Sequence, residues 1–588
     1  MGGVIFWPLF LLAVTPLALT TPAHATDDNT VSIAVDQNAV LQPTGTLYKA
    51  TTNVKVTTGK PYGFNLTMQA DTADLVNSKD STHKISATPS STPVALNANQ
   101  WGYSLNKSAT TFSAVPAGAQ ATPAVVADVT KAKPAGCTNP ANCTKSVTFA
   151  ANVDPAKLAS GSYSTAITYT ATAKPAPKPS DWTNRTAKAN PSETCQAGNT
   201  NSSCLVTLDK NMIPVKYTGS TTNAQWTSVA DPEAANSGWY DYANKQWANA
   251  ITVKPEALAK YRGFSKVVDQ SDILGFWVYI PRYRYKVLRF SSSDPAVSAQ
   301  NFTIEFENKH SAKAIPTANG TWATHPAFTF GGKELNGIWF AKFETTGSTS
   351  NPTVLPGQSH INYDNIGTYY SVAKSIGVYD PQNVGGDSVS TTQNSHNLAK
   401  FSSHMVNNSD WGAATYLSAS KYGAGYNGVR INPENYNTGH NYNTSDGQLT
   451  STTNNPTGIY DMAGGGWEYV AASYSDNLNN SSTDYFDSAA HPPYVNTYNF
   501  KNFNSCTYQT CGGQALYETH NGSSSTGTNM WLNQYAYFLE QDSESYHWFS
   551  RGGRYSNGSR AGLFCTSGSD GYAYSRSAFR VALARLQD

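Results

Sequence analysis

From Val31 to Ala173 apolar and polar residues alternate in short runs: "VSIAV", "TNVKVTT", "YGFNLTM", "SVTFAANV" and "YSTAITYTATA". Successive side chains of a strand point to opposite faces, so a period of two marks strands with one face buried. Polar turns separate the runs, and the pattern predicts an antiparallel β-sandwich over 26–173. The Pro- and polar-rich stretch 174–208, beginning "KPAPKPSDW", predicts a linker stiffened at its start. After Asp209 the texture changes to isolated apolar runs among long Gly/Asn loops. "GFWVYIPRYRYKVLRF" (Gly275–Phe290) predicts a strand pair, or one long strand broken at Pro281. "HPAFTFGGKELNGIWFAKFETTG" (His325–Gly347) predicts a hairpin-linked core segment. Trp411, Ala414, Leu417 and Lys421 recur at helical spacing, predicting a surface helix. Few helices and many irregular loops predict an α+β domain over 209–588 whose loops carry function.

Composition narrows the function classes. The 588 residues carry a formal charge of only +1, so no long-range field draws nucleic acid to the chain. Aromatics make up 12%, which is incompatible with bulk disorder. Residues 4–20, "VIFWPLFLLAVTPLALT", are apolar, short for a membrane span, and followed by Ala23-His24-Ala25. No Lys or Arg precedes them; even so, the pattern predicts a cleaved export signal over 1–25. No other stretch is apolar enough to cross a bilayer, so the membrane enters only through export. The expected location is secreted or cell-surface.

Six of the seven cysteines form close pairs inside polar loops: Cys137/Cys143, Cys195/Cys204 and Cys506/Cys511. In an oxidising compartment these predict small-loop disulfides. Zinc is disfavoured, because no His clusters near any pair. Cys565 is left as a free thiol.

Three phrases near the C-terminus occur in a fixed order: "TGIYDMAGGGWEYV" (Thr457–Val470), "SRGGRYSNGSRAGLF" and "SAFRVAL". With "MIPVKYTG", "WYDYANKQWANAITV" and the segments at 325–347 and 411–423, they resemble the formylglycine-generating-enzyme-like (sulfatase-modifying-factor) branch of the C-type-lectin fold. The resemblance spans about Asp209 to Leu583. The N-terminal part, through "PYGFNLTM", "QWGYSL" and "LASGSYSTAITYTATA", resembles β-domains of bacterial surface proteins.

The oxidase of that family works at a copper ion held by two cysteines just after "RGG". Here those positions are Asn557 and Gly562, neither of which offers sulfur to Cu(I). No copper and no oxidase activity are expected. The resemblance also reaches the variable proteins of diversity-generating retroelements, whose C-terminal segment is rewritten by adenine-directed mutagenesis. Mutated AAC/AAT codons never yield Lys, Glu, Gln, Met or Trp, and Arg554–Ala578 contains none of the five. Gly558, Ala561-Gly562, Phe564, Gly571 and Phe579-Arg580 would be the fixed frame of a variable segment at 550–583. Arg554, Ser556, Ser559, Arg560, Thr566, Asp570, Tyr572, Tyr574, Arg576 and Ser577 would form the ligand-binding surface. Tyr, Ser, Gly and Asn also dominate antibody paratopes, where Tyr gives large contact area at low rotamer cost. The expected function is an adhesin- or receptor-like protein binding a protein or glycan on another cell, a host or a phage. The alternatives are an oxidoreductase of the family's type, a mainly structural envelope protein, or an ordinary Gly/Ser-rich loop.

The resemblance further implies a structural calcium on Asp461, Gly464, Gly466 and Glu468, although Gly464-Gly465 replaces the usual Gly-Asn. The competing possibility is a strand turn in which Glu468 pairs with Arg551 or Arg580. "GAGYNG" (Gly423–Gly428) matches a dinucleotide-binding pattern by letter, but it follows no strand and opens no helix, so a loop turn is expected. The histidines are scattered and receive no role.

Overall fold

The computed structural model describes residues 12–17, 31–36, 39–44, 47–58, 63–118, 121–129, 137–139, 142–174, 191–199, 202–218, 225–234, 237–287, 302–318, 320–377, 394–434, 442–474, 493–498, 507–520, 526–527, 530–537 and 546–585. The chain is mainly β, arranged in several sheets, and divides into two compact units, Met1–Ala176 and Pro177–Asp588.

In the first unit twelve strands are hydrogen-bonded together. The longest ladder is antiparallel, pairing Leu47–Thr58 with Asn142–Asn152 from Tyr48↔Ala151 to Thr57↔Asn142. Val54 and Val56 are buried on either side of exposed Lys55, and Tyr163, Ile167 and Tyr169 are buried on the strand Tyr163–Ala173. This alternation is what the sequence pattern requires, and it gathers Val54, Phe64, Leu66, Val147, Phe149 and Ile167 into one core. Leu12–Leu17, inside the expected leader, pairs with Tyr163–Ala173 and Ala39–Thr44. Cleavage after Ala25 would remove that strand.

The second unit holds two seven-stranded sheets. The first runs in the order Gln225–Ser228, Met212–Thr218, Asn249–Val253, Ile273–Pro281, Gly337–Ala341, Val581–Arg585, Phe401–Met405. The C-terminal strand thus lies inside this sheet. The second sheet contains Trp467–Tyr474, Trp548–Gly552 and Gly562–Ser569, with Ser577–Phe579 parallel to Trp467–Tyr474. Arg580 is the single residue between the two sheets at this crossing.

Several expectations need correction here. The stretch read as a linker to residue 208 belongs to the second unit over its later part. Ser192 bridges Phe306, and the Cys195–Cys204 disulfide sits in the core with Val206 and Leu208. The cross-link and two apolar residues give this short segment enough to bury. Cys143 and Cys511 are also disulfide-bonded, and Cys137 lies opposite Cys143 in the ladder. Cys506 lies outside the described residues. The run at 275–290 does break near Pro281, into Ile273–Pro281 and Tyr283–Lys286. Buried Arg282 sits at the break, with Nε 2.9 Å from Glu307 and Nη1 2.5 Å from Glu334. The tract after it forms the hairpin Thr329–Phe330/Lys333–Glu334 and the core strand Gly337–Ala341.

The expected surface helix is a helix, Asn408–Ala419, but every residue of it is buried. Asn407 caps it by accepting from the amides of Ser409 and Asp410, while the Asp410 carboxylate accepts from the Asn407 amide. Its small residues admit neighbours on all sides. A Cβ on Gly412 would lie 1.8 Å from the carbonyl oxygen of Gly513. Gly→Ala inside a helix ordinarily gains about 1 kcal/mol. Gly412→Ala is expected to lose about 1–3 kcal/mol instead, through overpacking. Urea unfolding checks the sign, and a stabilised variant would refute the close approach.

Candidate functional site

The parity of three paired strands builds the site. Tyr469 lies opposite Ser550, which lies opposite Ser567; the neighbouring rung runs Glu468, Arg551, Thr566. Side chains on adjacent rungs point to opposite faces. Trp467, Tyr469, Ser550, Ser567 and Ser569 therefore face a cleft of about 460 Å³. Glu468, Arg551 and Thr566 face the core and are fully buried. Arg554 enters the cleft from the turn after Gly553, and Tyr574, Ser575 and Arg576 from the loop before Ser577.

The parity divides the expected ligand-binding residues. Arg554, Tyr574, Arg576 and Ser577 line the cleft. Ser577 is only 3% exposed, so it belongs to the floor and not to an open surface. Tyr572 is 59% exposed beside it. Ser556, Ser559 and Arg560 are exposed on the turn Tyr555–Arg560 but do not line the cleft. Thr566 cannot contact a ligand, because its rung places it opposite Arg551 in the core. Conversely, Trp467, Tyr469, Ser550, Ser567, Ser569 and Ser575 line the cleft without having been expected there. The signal that could have revealed them is the alternation itself: Trp-Glu-Tyr at 467–469 and Ser-Gly-Ser at 567–569.

The loop is fastened from several directions. Asp570 accepts from the Tyr572 amide at 3.1 Å and from the Tyr574 hydroxyl at 2.6 Å. The Asp570 hydrogen bond pushes the Tyr574 phenol up to about 12, so it stays a donor at neutral pH. The Tyr469 hydroxyl donates to the Tyr572 carbonyl at 2.9 Å, and the amides of Tyr363 and Ile366 donate to the carbonyls of Tyr574 and Gly571. The Arg576 guanidinium lies 5.7 Å from the centre of the Tyr555 ring, which joins this loop to the 555–560 turn. Among the described residues neither Arg554 nor Arg576 has a carboxylate partner. Arg554 Nε is enclosed with no hydrogen-bond partner.

The copper chemistry implied by the resemblance does not fit the residues present. Asn557 accepts from the Arg554 amide at 2.8 Å, and a Cβ on Gly562 would lie 2.1 Å from the Gln534 side chain. Cys565 is buried and free, and burial pushes its thiol up to about 12, away from the thiolate that Cu(I) needs. At 461–468, where the resemblance implies calcium, the carboxylates are engaged by neighbouring protein groups. Both oxygens of Glu468 accept from Arg580 Nε at 2.9 Å, so the strand-turn alternative with Arg580 describes this corner. Asp461 accepts from Asn432 at 2.8 Å, and the Gly466 amide donates to Glu344 at 2.8 Å. Gly464 donates to the Gly552 carbonyl. Among the described residues no group of three or more His, Cys, Asp or Glu side chains is set to hold a metal ion. Gly423–Gly428 is a turn followed by a short 3-10 segment, with no strand before it. Among the described residues, no helix is long and apolar enough to cross a membrane. No protein-family model matches the chain, and no curated protein matches it.

Proposed function

We propose that this chain is an exported, cell-surface binding protein, adhesin- or receptor-like, displaying a diversified C-terminal face on a C-type-lectin-like frame, with an N-terminal β-sandwich as scaffold. The observation that carries this reading is the contrast within 554–580. Tyr572 and Tyr574 are 59% and 47% exposed beside a cleft, whereas Ala561, Phe564, Phe579 and Arg580 are fully buried. Large aromatic rings held in solvent over a rigid base are the composition of a binding surface. Hydrogen bonds that fix the loop beforehand reduce the entropy lost on binding. The residues at the oxidase positions do not support the enzyme alternative, and a structural envelope protein would leave this face without a ligand.

The test is binding of the purified chain to arrayed glycans and cell-surface proteins. Tyr572→Ala/Tyr574→Ala is expected to cost a few kcal/mol of affinity, roughly the hot-spot range, while urea unfolding shifts by no more than about 0.5 kcal/mol. An unfolded double variant, or undiminished binding, contradicts the assignment. Diversification has its own test in the flanking DNA. A reverse transcriptase gene and an imperfect repeat of this segment are expected, with mismatches confined to adenines of the repeat. Export is checked by N-terminal sequencing of the secreted chain, which is expected to begin at Thr26.

A further inference from the structure

We propose that the cleft between the Trp467–Tyr474 strand and the 574–576 loop takes a carboxylate-bearing sugar unit; this rests on the binding-protein reading above and names its ligand class. Three features of the cleft select that chemistry. Among the described residues Arg554 and Arg576 are the only charged ones that line it, and neither is paired there with a carboxylate. Asp570, the nearest acid along the loop, is occupied by the Tyr572 amide and the Tyr574 hydroxyl. A guanidinium is a planar fork that matches a carboxylate in two hydrogen bonds, and Arg554 and Arg576 each bring one to the cleft lining.

Hydroxyl chemistry supplies the second feature. Ser550, Ser567, Ser569, Ser575 and Ser577 border the cleft, Ser550 and Ser577 from its floor. The hydroxyls of Ser550, Ser567 and Ser569 donate to the Ser567 carbonyl, the Gly568 carbonyl and the Tyr469 hydroxyl, which leaves their lone pairs to accept. A serine hydroxyl both donates and accepts, so it suits a ligand that is itself rich in hydroxyls. The third feature is shape. Trp467 and Tyr574 offer apolar ring surface beside those hydroxyls, and a volume of about 460 Å³ lies in the range of small-molecule sites. A sugar ring presents both a C–H surface and an edge of hydroxyls. An acidic peptide would use the two arginines but leave most of the serine lining without matching groups.

Titration of the full chain with methyl glucuronide, methyl glucoside and a tetra-glutamate peptide tests this. Methyl glucuronide is expected to bind at least tenfold more tightly than methyl glucoside, with affinity falling as salt rises. Arg554→Gln and Arg576→Gln are each expected to weaken glucuronide tenfold or more without shifting the urea midpoint. Arg576 is exposed, so its variant keeps the test valid if Arg554→Gln perturbs folding. Equal affinity for the two sugars, no glucuronide binding, or tighter binding of the peptide overturns the proposal. If glucuronide fails while Tyr572/Tyr574-dependent binding to array probes persists, only the sugar inference falls. If both are absent, the binding-protein reading falls with it.

Discussion

Arg580→Met is expected to destabilise the second unit by about 3–5 kcal/mol, the cost of leaving a buried charge without its partner. Arg580 lies where the chain passes from one sheet to the other. Its Nε faces Glu468, Nη1 donates to the Ala341 carbonyl at 3.1 Å, and Nη2 donates to the Tyr460 carbonyl at 2.6 Å. Burial, and then repulsion from Glu468 and Asp461, hold Glu344 well above the usual carboxylate range, against the opposing pull of Arg580. Removing Arg580 leaves three acids together in the core. Glu468→Leu/Arg580→Met is expected to recover at least half of the loss, because a pair of apolar residues replaces a buried ion pair at little net cost. Urea unfolding of the two single variants and the double variant decides. A loss below about 1 kcal/mol for Arg580→Met, or no recovery in the double variant, contradicts the argument.

A second large effect is expected on acidification. His325 and His396 are buried, and burial lowers them from the usual 6.5 to about 3 and about 4. Their partners fix the neutral form. His325 Nε2 lies 2.7 Å from the Gly513 carbonyl and its Nδ1 accepts from the Ala327 amide. His396 Nε2 lies 3.1 Å from the Pro352 carbonyl, with Nδ1 2.8 Å from the Thr252 hydroxyl. A carbonyl only accepts, so Nε2 carries the hydrogen and Nδ1 is the acceptor in both. Below pH 6.5 the unfolded chain takes up a proton at each histidine that the folded chain refuses until near its own lowered pKa. Stability is therefore full above 6.5 and falls as pH drops, at about 1.4 kcal/mol per pH unit for each histidine.

Buried Glu344 and Glu518 are raised and act in the opposite direction. The measurement is therefore a difference between variants, in which the carboxylates cancel. His396→Gln, which can still donate to a carbonyl, removes one titrating group. Its deficit relative to wild type is expected to shrink by about 2 kcal/mol between pH 8 and pH 5. A deficit that stays constant with pH would mean that His396 takes up its proton in the folded chain at the same pH as in the unfolded one.

The difference between what could and could not be read in advance follows from the kind of information each feature needs. Strand existence is local. "YSTAITYTATA" states its own period, and the structure contains the strand Tyr163–Ala173 with Tyr163, Ile167 and Tyr169 buried. The helix at 408–419 is local too, since its cap and spacing lie within a few residues. Its burial is not, because the backbone that meets Gly412 belongs to Gly513, about a hundred residues away. The free state of Cys565 follows from counting cysteines, and its depth in the core does not.

The candidate site divides in the same way. The sequence by itself determined which residue types crowd 554–578, and that those types suit a binding face more than a core. It also determined that no thiol stands at positions 557 and 562. Tertiary structure decided which of those residues line the cleft. The pairing of Trp548–Gly552 between Trp467–Tyr474 and Gly562–Ser569 fixes the parity of each strand. A shift of one residue in either ladder would exchange Ser567 for Thr566 at the cleft. Tertiary structure also decided that Glu468 meets Arg580, because the two residues are distant in sequence and become neighbours only where the C-terminal strand enters the first sheet. Side-chain alternation is written in the chain, but the register that gives it direction is set by partners far away along it.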